Sequence, residues 1–145
     1  MTDTLPADEA DGYWTRTTSP DGAHFWFVNA DEVKMSHWIM GGSVWRRDPV
    51  GKLFEAPYGW SFEGRSWLSN NVLKLDGRCY PGRLPGVTLT IDVGAERGSI
   101  EPIDLAAEQQ RGSYAQVNPR EVPVAPYGSQ ALAEVVRWLE AFPRI

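Results

Sequence analysis

Val87-Thr88-Leu89-Thr90-Ile91-Asp92-Val93 alternates without a break, with Val87, Leu89, Ile91 and Val93 on one side and Thr88, Thr90 and Asp92 on the other. A strand repeats every two residues, so this segment can bury one face and wet the other. Just upstream, Asn71-Val72-Leu73-Lys74-Leu75-Asp76-Gly77-Arg78-Cys79-Tyr80 places Leu73, Leu75 and Cys79 together on one side. Between the two lies Pro81-Gly82-Arg83-Leu84-Pro85-Gly86, a doubled Pro-Gly turn signal. Together they predict a long antiparallel hairpin, the organising feature of the chain.

Working outward toward the N-terminus, turn signals recur at roughly 8- to 12-residue intervals, the spacing of a meander of short strands. Gly12 to Thr18 is rich in aromatic and β-branched residues, and Ser19-Pro20-Asp21-Gly22 reads as a β-turn. The next strand runs from Ala23 to Asn29. Its centre, Phe25-Trp26-Phe27-Val28, is apolar on both faces and predicts a central or covered position. Asp31 to Met35 reads as a short helical turn capped by Asn29 or Asp31. His37 to Arg47 reads as a strand interrupted at Gly41-Gly42, where a bulge, a bend or the close approach of another backbone is expected. Asp48-Pro49-Val50-Gly51 turns the chain into Lys52 to Ala56. After Pro57-Tyr58-Gly59, the stretch Trp60 to Gly64 places Trp60 and Phe62 on one face.

Toward the C-terminus, Ser99 to Ile103 is a short strand or extended loop. Asp104 to Gly112 reads as two helical turns, capped by Asp104 and stopped by Gly112. Tyr114 to Val117 can extend a strand. Pro119, Pro123 and Pro126 exclude regular helix and central strand from the segment that follows. Gln130 to Phe142 closes the chain as an amphipathic helix. Leu132, Val135, Val136, Leu139 and Phe142 share a face, Ser129 is placed to cap it, and Pro143 ends it. The expected fold is α+β and mainly β: a curved antiparallel meander or half-open barrel with the C-terminal helix packed on it. The expected organisation is a flexible acidic tail over residues 1–11 and a single β-rich domain over 12–145.

At 145 residues the chain is long enough for one real core, and 42% hydrophobic with 23% charged residues places it among globular sequences. A formal charge of −5 argues against a nucleic-acid binder, which would carry a basic stripe. It favours a basic protein partner, steered in electrostatically. A lone cysteine excludes an internal disulfide and fits a reducing compartment. The N-terminal stretch has neither the basic region nor the apolar run of a signal peptide. No apolar run reaches the roughly 20 residues that span a bilayer. A cytoplasmic location is expected, and the Arg, Gly and Ala usage points to a bacterial chain.

The residues that could carry chemistry give no catalytic set. Cys79 with His24 or His37 and an Asp would suit a nucleophile and its base, but Cys79 falls on the apolar side of its strand and reads as a small buried hydrophobe. Two His and one Cys lack the spacing of a zinc motif, so no metal site is expected. Glu55, Glu63, Asp76 and Asp92 lie in or beside strands, where two carboxylates facing a cleft would suit glycoside hydrolysis. Their spacing selects no pair, and they read as charges on wet faces. Neither G-x-x-x-x-G-K nor G-x-G-x-x-G occurs in the context of a phosphate loop, and no cofactor is expected. Arg46-Arg47-Asp48 reads as a solvated turn.

The aromatics are the most informative feature. Trp38, Trp45, Trp60 and Trp67 lie at strand ends or in segments with aromatics on both faces. Such residues either fill the core or mark a contact surface. Trp45 and Trp60 adjoin turns where a strand end can protrude, and are expected to be binding anchors, with Trp67 and Trp38 as further candidates. Gly12-Tyr13-Trp14, near the start of a meander that ends in a helix, resembles the G-x-W opening of lipocalins. That resemblance implies a closed barrel holding a small ligand. The expected function is an acidic, non-enzymatic protein-binding module, in its most concrete form an immunity or antitoxin-type inhibitor. The alternative is a lipocalin-like barrel that binds a small ligand or carbohydrate.

The hairpin assignment fixes the core: Leu73, Leu75, Val87, Leu89, Ile91 and Val93 from the strands, with Leu132, Val136 and Leu139 from the helix. Replacing Leu89 with Ala is expected to destabilise the fold by ~2–5 kcal/mol in urea denaturation. A loss below about 0.5 kcal/mol, the scale of a neutral surface change, would mean that the faces are assigned the wrong way round.

Overall fold

The computed structural model describes residues 5, 11–12, 14–33, 37–80, 82 and 84–143. Among the described residues, nine strands form two antiparallel sheets. The first holds β1 (Arg16–Thr18), β2 (His24–Val33), β3 (His37–Arg47) and β4 (Val50–Glu55) in sequence order. The second holds β5 (Trp60–Trp67), β6 (Val72–Cys79), β7 (Val87–Asp92), β8 (Arg97–Pro102) and the two-residue β9 (Gln130–Ala131), again in order. Among the described residues there are also two α-helices, α1 (Leu105–Gln110) and α2 (Leu132–Ala141), the second of which packs on the sheets, and a short 3-10 helix at Pro119–Glu121. The sheets remain separate, so the closed barrel implied by the lipocalin resemblance does not form. The break falls at Pro57-Tyr58-Gly59, between the edge strands β4 and β5.

In the first sheet, β2 is central and covered on both faces, as its sequence requires. Trp26 and Val28 enter the common core, whereas Phe25 is buried on the opposite face beneath the Arg47 and Arg16 guanidinium groups, 4.8 and 5.4 Å from its ring centre. Such stacking attracts the cation to the ring and covers apolar surface with arginine stems. The β2–β3 ladder runs unbroken from His24↔Arg46 to Val33↔His37, so the paired glycines do not interrupt β3. Close approach is the reason for Gly42: a Cβ there would lie 2.3 Å from the Phe27 carbonyl oxygen and 2.7 Å from the Trp26 ring. Gly42 therefore makes room for Trp26, which meets Phe62 edge-on at 5.6 Å.

The hairpin forms as expected, with β6 and β7 paired from Val72↔Asp92 to Gly77↔Val87. Leu73, Leu75, Val87, Leu89, Ile91 and Val93 are all buried. Strand β5 joins the hairpin through β6, but its ladder slips at one point: Phe62 pairs with Gly77, and the next pair is Gly64↔Asp76, so the register shifts at Glu63. A bulge of one residue reverses the parity of the strand. Trp60 and Phe62 face the core before it, and Trp67 packs against the core after it.

Helix α2 docks through Leu132, Val135 and Leu139, with Val136 only partly buried and Val135 taking the deeper position. Gly98 on β8 leaves a seat for it, since a Cβ there would already touch Val135. The Trp60 indole N–H donates to the Leu139 carbonyl at 2.9 Å, and Phe142 meets the same indole edge-on at 5.1 Å.

Other expectations are corrected. Strand β2 continues through Asp31-Glu32-Val33, so no helical turn starts there, and Lys34-Met35 lie outside the described residues. Ser129 does not cap α2. Its hydroxyl and carbonyl accept from Arg97, and Ala131 takes the cap position without a side-chain bond. Tyr114 to Val117 form a turn instead of a strand. Asp11, assigned to the tail, accepts from the Thr18 backbone and hydroxyl and lies 3.5 Å from Arg16. The rest of the expected tail except Leu5, together with Tyr13 and the turn residues Pro81 and Arg83, lies outside the described residues. No helix among the described residues is long and apolar enough to cross a membrane.

Two predictions follow from this packing. Trp60→Phe removes the bond to Leu139 and leaves a void, and is expected to cost ~1–3 kcal/mol in chemical denaturation. An unchanged midpoint would place the indole outside the core. The second concerns acid. Burial pushes the His24 imidazole below its ordinary value, helped by Arg46 and opposed by Asp21. Asp21 is itself lowered by the Ala23 backbone N–H and the Ser19 hydroxyl. In both cases the folded chain resists protonation more than the unfolded chain does. His24 therefore contributes full stability above about pH 6.5, and that contribution is lost as pH falls below it. Thermal melts across about pH 7 to 5 should show a smaller fall for His24→Gln than for the wild type. Equal slopes would remove His24 from the account.

Candidate functional site

Of the four tryptophans singled out in the sequence, only Trp38 is exposed. Trp60 is 0% and Trp45 7% exposed, so neither protrudes from a strand end as expected. Trp60 is held in the core by α2. Trp45 lies flat under Lys52, whose ammonium is 5.8 Å from the ring centre, and donates to the Ser43 hydroxyl at 2.8 Å. Trp67 is half-buried and donates to the Thr17 carbonyl at 2.9 Å, joining the second sheet to β1. Both turns beside Trp45 and Trp60 were read correctly. What fails is the inference from turn to protrusion, because each indole finds an internal acceptor.

Trp38 is 44% exposed and meets Trp14, itself 52% exposed, edge-on at 5.4 Å. Together they form an exposed indole pair, and Trp38 lines a cleft of about 400 Å³. The cleft's other charged and aromatic residues are Glu63, Asp76, Arg78, Tyr80 and Tyr114.

Each wall has a local cause. The bulge at Glu63 brings Gly64 opposite Asp76, and the Asp76 side chain lies over that glycine so closely that a Cβ would meet its Oδ2 at 2.8 Å. In a regular ladder Glu63 would take Gly64's place and put two carboxylates directly opposite, a destabilising pair. The bulge keeps both carboxylates on the cleft while avoiding that pairing. Asp76 is further oriented by the Thr88 hydroxyl, which donates to its Oδ1 at 2.6 Å. The floor is backbone: a Cβ on Gly86 would lie 2.0 Å from the Gly77 carbonyl oxygen, so these two chains can approach only without side chains.

Tyr114 reaches the cleft from the connection after α1. Asp104 caps that helix by accepting from the Ala107 N–H at 3.1 Å. The Gln109 side-chain amide then donates to the Tyr114 and Val117 carbonyls at 3.0 and 2.8 Å, and Val117 is buried in the core. These contacts hold Tyr114 at φ 55°, a left-handed conformation that a bulky residue adopts only when its surroundings impose it.

Chemically the cleft is rich in acceptors. Ser61, the one serine among its described lining residues, is buried and already accepts from the Met40 N–H at 2.9 Å. Cys79 and His24 do not meet. Cys79 pairs with Trp60 at one end of β5, whereas the His24 ring lies 6.3 Å from Trp67 at the other. The two ends of that eight-residue strand are roughly 20 Å apart. Among the described residues, no three His, Cys, Asp or Glu side chains gather in a group that could hold a metal ion. Two carboxylates in one cleft can accept from a cation, accept from the hydroxyls of a polyol, or act as an acid–base pair.

Comparison with protein-family models, with curated protein sequences and with solved structures gave no match. The cleft's own geometry therefore carries the functional argument.

Proposed function

We propose that this chain is a non-catalytic, acidic protein-binding module that recognises a basic partner through the Trp38 cleft. An inhibitor of the immunity or antitoxin type is the concrete form of that reading. The observation that carries it is the exposed Trp14–Trp38 pair at a cleft with two carboxylates. Contact tryptophans dominate the energetics of many protein interfaces, and acidic groups around them steer a basic partner. The overall charge of −5 acts in the same direction at long range.

A second reading, a carbohydrate or other small polyol, has one specific observation in its favour. Arg78 adds a donor to the carboxylate acceptors, beside an exposed indole on which a sugar ring could stack.

Trp38→Ala should leave the protein folded, lowering the melting temperature only by the loss of the Trp14 contact, and should weaken partner binding by about 2 kcal/mol or more. Affinity capture at low salt with the wild type and with Trp38→Ala, followed by titration of the captured protein, checks both halves. Raising salt should slow association more than it speeds dissociation. Capture that is indifferent to Trp38, or a melting temperature raised by a sugar and by no protein, would overturn the protein reading.

A further inference from the structure

Beyond the short 3-10 helix the chain runs to β9 as an extended strap. We propose that residues 120–127 dock into an aromatic-lined groove on a protein partner, with an acidic group at the end of the groove that meets Arg120. The sequence there is Arg120-Glu121-Val122-Pro123-Val124-Ala125-Pro126-Tyr127. Proline fixes its own φ, and it confines the residue before it to extended backbone. Four of the six positions from Val122 to Tyr127 are restricted in this way by covalent structure alone. Val122 sits at φ −80° and ψ 122°, close to polyproline II, and Gly128 at φ 78° ends the run.

Polyproline II has three residues per turn, so its side chains form three edges. One edge, Val122 and Ala125, packs on the core. A second, Pro123 and Pro126, is half-buried. The third is Val124 and Tyr127, 91% and 101% exposed. Anchoring accounts for the first edge only. The Trp138 indole N–H donates to the Val124 carbonyl at 3.0 Å, and the Gln130 side-chain amide donates to the Tyr127 carbonyl at 3.1 Å. Asn118 and Glu121 close a capping box where the strap begins. These bonds hold the backbone and leave the Val124 and Tyr127 side chains in water. The conformation itself says what covers them. A preformed polyproline II segment loses little freedom on binding, and the surfaces that read it are grooves lined by aromatic rings. Charge sets the chemistry of one end. The Glu121 carboxylate is turned into the capping box, where it accepts from the Asn118 N–H at 3.1 Å, whereas Arg120 is exposed. A carboxylate on the rim of the groove would complement it. The strap shares no residue with the described lining of the Trp38 cleft and is a second contact surface.

The test is titration of the isotope-labelled full chain with an isolated SH3 domain and an isolated WW domain, whose grooves read polyproline II. Nuclear magnetic resonance should show a saturable shift at the amides of Val122, Val124, Ala125 and Tyr127 with at least one of them, and none at Trp38. Arg120→Ala should weaken that binding about tenfold, through loss of a charge-assisted contact. Val124→Asp should weaken it about tenfold or more, by placing a charge on the outer edge. Each variant's melting temperature checks that the fold is intact. A synthetic peptide of residues 118–128 must lose freedom that the fold has already removed, and should bind the same domain roughly 3- to 10-fold more weakly than the chain. No shift with either domain at about 1 mM, binding indifferent to both substitutions, or a peptide that binds as tightly as the chain would overturn the proposal.

Discussion

One buried indole hydrogen bond, from Trp60, ties the two sheets' junction to the last helix, whereas the equally buried Trp26 indole N–H has no acceptor among the described residues and is held by packing. Trp60, the first residue of β5, donates to the carbonyl of Leu139, 79 positions later in the last turn of α2. The bond gives α2 a fixed position along the sheet, which apolar contact alone would leave free to slide. Phe62 stacks against Trp60 from its own strand, Phe142 closes on it from the helix end, and Trp26 meets Phe62 from the other sheet. Both sheets and the helix therefore share one aromatic centre.

The hairpin and the C-terminal helix were legible in the sequence because each depends on a local period that burial on one side enforces. Val87 to Val93 can present only one apolar face, and Leu132 to Phe142 can dock only one stripe. Parity along β5 was not legible. Trp60 and Phe62 sit at even positions and Trp67 at an odd one, and alternation alone puts them on opposite faces. The single-residue slip at Glu63 resolves this, and it depends on a pairing with β6 that no local pattern records. The same limit applies to Asp31-Glu32-Val33. Their polar, helix-like composition is overridden by the ladder to β3.

The site was legible only in part. Aromatic excess pointed to a contact surface, and of the four tryptophans named for it Trp38 is the exposed one. Trp45 and Trp60 were misplaced because exposure was inferred from adjacency to turns, whereas it depends on what each indole can bond and what covers it. Trp14 was visible only as part of a lipocalin-like opening, and its partnership with Trp38 arises from the fold. Glu63 and Asp76 stood in the sequence as two carboxylates among several. Only the β5–β6 register brings them to one cleft. Tyr114 carried no usable signal, since its placement depends on Gln109 reaching across a turn.

The bulge also separates two kinds of constraint along β5. Every other residue of the strand answers to a partner on β6, so exchanging one disturbs a pair. Glu63 falls at the shift in that register, between the Phe62↔Gly77 and Gly64↔Asp76 pairs, so a change of its side chain need not alter either pair. The strand thus carries one position whose side chain is accountable to the cleft and hardly at all to the ladder. A chain built this way can alter the chemistry of the cleft at that point while the architecture that presents it is inherited intact.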